Sequence, residues 1–365
     1  MKKIAVIGLR GHGVIYSGYE TFIRHLVAKS SKKNFFYYLY CRSKYQRKIN
    51  KKNKKNYRLI MLPTISGKYL ETFFYVIFST YDSLSREIDT VLYLGTAYTY
   101  LIFIHKLLGR KVVANTAGVD WNKKRWSLMG KIYLKICEQM TVWFANLLIC
   151  DSRSMVNYYR GKYRLNNLIY VPYGAEVKSL KPGKMLKRFD LRPMKYMYAV
   201  GRFSPENCLE DLIMAFRKFK TDFKCVIVGD SFYEEKYKKY LMNLAKNDKR
   251  IIFTGILQGK EYDEICSNSL AYVETKSIGG THPALLEAMA FGKCVIVKDT
   301  KENQEVIGDS GYLYNNFSSL RLEDQLKYVI SHPKNARRIG NIGKKRVHAL
   351  YNWKDVISRY EAILK

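Results

Sequence analysis

The segment Ser277-Ile-Gly-Gly-Thr-His-Pro-Ala-Leu-Leu-Glu287 combines residue types that let a backbone hold an anion. Gly279 and Gly280 lack the Cβ that would keep a ligand away, and Thr281 and His282 follow them. Thr281 is a good N-cap and Pro283 suits the first turn of a helix. Free N–H groups at such a helix start, beside a glycine loop, attract a diphosphate without any side-chain charge. Glu287, about one turn further in, is placed to accept hydrogen bonds from sugar hydroxyls. The same residues also read as a tight loop that merely caps a core helix.

A second group lies in Val200-Gly-Arg-Phe-Ser-Pro-Glu-Asn207, where a strand ends in a glycine and presents Arg202. The planar fork of Arg suits a phosphate because it binds two oxygens at once, although a lone arginine there also reads as a surface ion pair. Near the start, Gly8 to Gly18 is glycine-rich but not a clean GxGxxG turn. It reads as a long loop bearing Tyr16, with Glu20 at the start of the next helix, where the dipole favours an anion. The stretch Asn115 to Trp126 holds Asn115 and Asp120, and its Trp121, Lys124, Arg125 and Trp126 interleave cations with tryptophans, as a membrane interface does.

These residues need a scaffold, and short β-branched or aromatic runs alternating with helical patterns predict one. The first series of strands is Ile4–Ile7, Phe35–Tyr40, Leu59–Leu62, Thr90–Leu94, Lys111–Ala114, Leu147–Cys150 and Leu168–Tyr170. A second follows at Tyr196–Val200, Lys224–Val228, Ile251–Thr254, Ala271–Val273, Cys294–Val297 and Gly311–Tyr314. Amphipathic stretches such as Tyr19–Lys29, Leu209–Phe219 and Pro283–Phe291 lie between them. Such alternation predicts an α/β chain with two tandem Rossmann-like, doubly wound parallel sheets whose carboxyl edges face a cleft. The expected division is 1–172 and 196–350 for the two domains, with a polar, basic linker over 173–195. A terminal helix over 351–365 is long enough to cross back to the first domain.

Length and composition agree with two globular domains: 365 residues, 47% hydrophobic, without low-complexity tracts. Seven scattered cysteines lack CxxC pairs or nearby histidines, so they read as reduced thiols with no metal site. The four apolar residues before Gly8 are too few for a signal-peptide core, and no run of 18 apolar residues occurs. The chain is expected in the cytoplasm. Its net charge of +33 calls for an anionic partner, and residues 1–170 carry 30 Lys and Arg against 8 Asp and Glu. Nine basic residues and no acidic one fall between Arg42 and Arg58.

Five ordered segments together resemble the retaining GT-B glycosyltransferases of family 4, and more closely the bacterial subgroup containing rhamnosyltransferases of capsule and cell-wall polysaccharide synthesis. They are Tyr16-Ser-Gly-Tyr-Glu-Thr21, Asn115–Trp126, Val200–Asn207, Gly279–Met289 and Asn303-Gln-Glu-Val-Ile-Gly308. The resemblance implies that the second domain holds a nucleotide-diphosphate sugar, dTDP- or UDP-linked, as co-substrate without a further cofactor. Arg202 would contact the diphosphate, the amides of Gly280 to His282 would cradle it and Glu287 would grip the ribose, with Asn207 and Glu305 also on the donor side. Glu20, Asn115 and Asp120 would lie near the reacting hydroxyl of a lipid-linked glycan, on a protein peripheral to the anionic inner membrane surface.

The family's chemistry is metal-independent and retains the anomeric configuration, with Arg and backbone dipoles stabilising the leaving diphosphate. The chain departs from the family's usual pattern in having Gly279 where a Glu is common, Asn207 where a Lys is common, and Ala117 where many relatives carry His or Asp. Gly-Gly and Asn are shared with the subgroup.

Two other functions are weighed against this. A nicotinamide-dependent oxidoreductase needs an acidic residue about 20 positions beyond a glycine turn, and none occurs between Glu20 and Glu71. A non-catalytic RNA- or membrane-binding protein would use the basic surface alone, yet no nucleic-acid-binding motif accompanies it.

Overall fold

The computed structural model describes residues 1–13, 18–45, 56–65, 67, 70–116, 118–123, 126–231, 234–277, 280–315 and 321–365. The chain divides into two compact units: Met1–Tyr173 with Trp353–Lys365, and Gly174–Asn352.

The first unit is built on β1 (Lys2–Ile7), β2 (Phe35–Arg42), β3 (Tyr57–Leu62), β4 (Thr90–Leu94), β5 (Lys111–Thr116), β6 (Leu147–Cys150) and β7 (Leu168–Tyr170). The order is β3-β2-β1-β4-β5-β6-β7 and every pairing is parallel. Ile4 faces Tyr37 on one side and Thr90 on the other. A parallel strand covered on both faces must be apolar throughout, and Ile4, Ala5, Val6 and Ile7 are all fully buried. Helices Gly18–Lys29, Leu70–Leu84, Ile102–Leu107, Leu128–Phe144 and Arg153–Tyr163 connect the strands.

The last helix, Trp353–Leu364, packs on Gly18–Lys29 in this same unit. The Phe22 and Tyr360 rings lie 4.4 Å apart, and Trp353 stacks on His25 at 4.2 Å. Lys111 Nζ donates to Ile363 O at 2.6 Å and the Ser31 amide donates to Glu361, so the end of the chain is fastened at several points.

The second unit holds β8 (Tyr196–Val200), β9 (Lys224–Val228), β10 (Ile251–Gly255), β11 (Ala271–Glu274), β12 (Cys294–Lys298) and β13 (Tyr312–Tyr314), again all parallel, in the order β10-β9-β8-β11-β12-β13. Residues 174–195 belong to this unit and are more than a tether. Glu264 Oε1 accepts from the amides of Gly183, Met185 and Leu186 at 2.9–3.0 Å, capping the short helix Lys184–Arg188. Met185 and Leu186 are buried behind it.

Two close backbone approaches shape this unit. A Cβ on Gly229, where φ is +143°, would lie 1.9 Å from Gly201 O, so the carboxyl ends of β8 and β9 meet only through glycine. A Cβ on Gly340 would lie 2.2 Å from Gly292 O, which lets helix Pro333–Leu350 press against the end of helix Pro283–Ala290.

Six of the seven cysteines are buried, and all seven are free thiols. Among the described residues no helix is long and apolar enough to cross a membrane.

Candidate functional site

In an open parallel sheet the ligand crevice lies beyond the carboxyl ends of the strands where their order reverses. In the second unit that point falls between β8 and β11. The loop after β8 and the loop after β11 are tied to each other there. Thr275 Oγ1 donates to Asn207 O at 2.5 Å, and the Ser277 amide and hydroxyl both donate to Glu206 O at 3.3 Å. Asn207 Nδ2 donates to Arg202 O, which fixes the turn that carries Arg202 at the carboxyl end of β8. Glu206 and Asn207 are buried, while Arg202 is half-buried.

The β11 loop runs into helix Pro283–Ala290. Its N-cap is His282, not Thr281 as the sequence predicts, and no described side chain caps it. Pro283 is the reason: the residue before a proline is pushed out of the helical region, and His282 has φ −90°, ψ 114°. The helix therefore begins one residue later, with Gly280, Thr281 and His282 all buried just ahead of it. A helix start is where backbone amides can meet an outside anion.

Behind His282 stands Glu274, a fully buried carboxylate that sequence reasoning missed. It accepts from Tyr272 OH at 2.8 Å and from the Lys276 amide at 3.2 Å, and its Oε2 lies 3.5 Å from His282 Nδ1. Burial raises its pKa, but Lys276, His282 and the two hydrogen bonds outweigh this and hold it below the ordinary glutamate value. Glu287 is half-buried and accepts from Tyr262 OH at 2.8 Å. Burial, reinforced by the neighbouring Glu287 carboxylate, drives the Tyr262 phenol well above 10, so it stays a donor.

Glu305 lies on helix Lys301–Ile307, which follows β12 and is capped by Thr300 Oγ1 accepting from the Asn303 amide at 3.2 Å. Arg346 Nη2 donates to Glu305 O at 2.9 Å. Arg202, Asn207, Gly280, Thr281, His282 and Glu305 thus all follow strands at one edge of one sheet. Gly279 lies outside the described residues.

In the first unit the order reverses between β1 and β4. Glu20 is buried and accepts from the Arg10 amide at 3.1 Å, joining helix Gly18–Lys29 to the loop after β1. Asn115, buried at the end of β5, donates from Nδ2 to Tyr360 OH. Asp120 pairs with Lys123.

Trp121, expected to face a membrane, is half-buried and tethered by its indole. Its Nε1 donates to Glu138 Oε2 at 3.1 Å, and Lys135 and Lys162 lie over its ring at 4.8 and 5.1 Å. The cause is Glu138, a buried carboxylate that also accepts from Tyr158 OH, Lys162 Nζ and Tyr163 OH at 2.8, 2.9 and 2.5 Å. Trp126 is half-buried and lines a groove with helix Leu128–Phe144. Tyr16, Lys124, Arg125, Ala117 and the basic run Lys51 to Lys55 lie outside the described residues.

Glu274, Tyr262 and Glu138 sit in strands or helices with no motif around them, and nothing in their local sequence singles them out. The Val228-Gly229-Asp230 strand end was a readable signal for the close approach to Gly201.

Residues 189–346 match the family described as "Glycosyl transferases group 1". Residues 1–176 match a domain of unknown function, DUF1972. An uncharacterized glycosyltransferase of Methanocaldococcus jannaschii is 25% identical over 233 residues, 60% of this chain and 58% of that relative, so the chain matches little more than half of the relative's length.

Among solved structures, sucrose-phosphate synthase from Thermosynechococcus elongatus superposes with a TM-score of 0.83 at 16% identity, covering 100% of this chain and 98% of its own. Anabaena HepE, solved in complex with UDP-glucose, gives 0.80 at 15% identity, covering 100% and 99%. The chain therefore has the GT-B fold, and residues 189–346 in its second unit are similar to the glycosyl transferases group 1 family.

Proposed function

We propose that the chain is a glycosyltransferase that moves a sugar from a nucleotide-diphosphate donor, held by the second unit, to a lipid-linked glycan acceptor on the first. The observation that carries this is the cradle at the β8/β11 switch point. Two loops are locked by Thr275, Ser277 and Asn207, Arg202 is presented at its edge, and a helix starts there with no side-chain cap among the described residues. The UDP-glucose complex of Anabaena HepE, a protein of the same fold, supports the assignment of the ligand class.

In this reading the half-buried Arg202 and the amides of residues 280–282 face the two phosphates. Negative charge grows on the phosphate oxygen as the bond to the sugar breaks, and donors already aimed at it stabilise that charge without reorganising. Arg contributes a charge-assisted, two-pronged contact. No metal is required in this scheme, and the anomeric configuration is retained. Glu287, steadied by Tyr262, takes the ribose hydroxyls.

The donor is a dTDP- or UDP-linked rhamnose or another hexose. The acceptor belongs to cell-surface polysaccharide synthesis, and the basic first half of the chain draws the protein to the anionic inner face of the plasma membrane.

Thermal unfolding against millimolar UDP, dTDP, GDP and NAD⁺ tests the donor site. A ligand at about 100 times its Kd adds about 2.7 kcal/mol of apparent stability, which a melting curve resolves. A shift with one nucleoside diphosphate names the base. No shift with any diphosphate overturns the donor assignment, and binding by the basic surface alone would replace it.

A further inference from the structure

Three segments that leave the carboxyl ends of β3, β4 and β5 in the first unit enclose an apolar groove of about 330 Å³. Its walls are Leu70 and Phe73 after β3, Ala97 after β4, and Trp126, Met129 and Tyr133 after β5. Among the described residues no charged side chain lines it. Leu70, Phe73 and Met129 are 53, 40 and 76% exposed, far more than core packing leaves for such residues.

The groove continues into a stripe along helix Leu128–Phe144, where Leu128, Ile132 and Ile136 recur every four residues and Trp143 follows, all exposed. A contiguous apolar surface of this kind on a strongly basic unit marks a binding face. The helix that carries the stripe adds cations beside it. Lys131 and Lys135 lie on the same helix, and its only acidic residue, Glu138, is buried under Lys162.

We infer that this groove seats the hydrocarbon chain of the acceptor lipid, with the lipid's phosphate held toward Lys131 and Lys135. The inference rests on the lipid-linked acceptor proposed above. An apolar slot alone would take any greasy partner; the cationic rim selects an amphiphile whose head is anionic. Because the groove opens at the edge where the Glu20 and Asp120 segments also emerge, a chain seated in it places its head group on the acceptor side of the unit.

The probe is an alkyl phosphate with a brominated chain, which quenches tryptophan on contact. Saturable quenching is expected, lost in Trp126→Phe because Trp126 is the indole in the groove. Met129→Glu should weaken it about ten-fold or more by placing a charge against the chain. Met129 is exposed enough that its substitution does not threaten folding.

Quenching that persists unchanged in both variants overturns the proposal, as does partition onto anionic vesicles with no quenching by the monomeric probe. The nucleotide-diphosphate melting shift is read in the same samples. Chain binding without that shift supports the groove while sinking the donor assignment; the shift without chain binding does the reverse.

Discussion

Tyr262 OH donates to Glu287 Oε2 at 2.8 Å, joining helix Lys260–Asn268 to helix Pro283–Ala290 one turn inside the candidate phosphate cradle. A carboxylate on a helix surface ordinarily samples several rotamers. The fixed phenol selects one, so on the proposed function a ribose at Glu287 would meet a group already oriented.

Glu287→Ala should weaken nucleoside-diphosphate binding about ten-fold to a hundred-fold, the usual range for losing hydrogen bonds to a charged group. Tyr262→Phe keeps the carboxylate but frees its rotamer, and should cost about three-fold to ten-fold. Calorimetric titration with UDP and with its 2′,3′-dideoxy analogue checks both. The preference for UDP should collapse in Glu287→Ala; an unchanged preference would remove Glu287 from the ribose.

Gly229→Ala should be among the most damaging small substitutions. The new Cβ at φ +143° would sit 1.9 Å from Gly201 O, a distance no side-chain rearrangement relieves because both atoms are tied to backbone. The expected loss is about 3 kcal/mol or more, read from the urea midpoint. Gly201 leads directly into Arg202, so the variant that remains folded in the cold should also lose its response to nucleoside diphosphates.

The strands were legible because parallel strands buried on both faces appear as unbroken apolar runs, as Tyr196–Val200 and Cys294–Val297 do. Glycine and proline marked the loops that carry Arg202 and Pro283. Long-range side-chain pairings left no such local trace. Glu264 turns an apparent linker into a capped helix from about 80 positions away, and Glu138 holds the Trp121 indole from another helix. The one-residue shift of the cap from Thr281 to His282 shows proline's backbone restriction overriding a side-chain preference.

His105 gives the fold a dependence on acid. It is fully buried between Ser83 Oγ on Nε2 and Tyr93 OH on Nδ1, each at 2.7 Å. Ser83 already donates to Thr80 O, so it accepts from Nε2–H while Tyr93 donates to Nδ1, which requires the neutral ring. Burial, helped by Arg110, pushes the imidazole down to about 4. Between about pH 6.5 and 4 the unfolded chain binds a proton that the folded one refuses, so stability is full above this window and falls through it on acidification. The slope from this group is about 1.4 kcal/mol per pH unit. Urea unfolding at pH 7, 6 and 5 should show wild type losing more than His105→Gln; parallel losses would mean that His105 is not the titrating group.

Asn115 can be tested for whether its amide serves structure before chemistry. Its Nδ2 donates to Tyr360 OH, so a residue expected beside the reacting hydroxyl also ties β5 to the terminal helix. Both partners are almost wholly buried, and an amide left unsatisfied there costs about 1–3 kcal/mol. Tyr360→Phe preserves the ring packed on Phe22 and removes only the acceptor. It should destabilise by about that amount, and Asn115→Ala by a similar amount. Because the two remove one shared bond, the double variant should fall short of their sum by about 1 kcal/mol. Strict additivity would break the link between these residues. If sugar transfer survives in Tyr360→Phe at a temperature where the protein stays folded but fails in Asn115→Ala, Asn115 has a second role at the acceptor that the terminal helix only steadies.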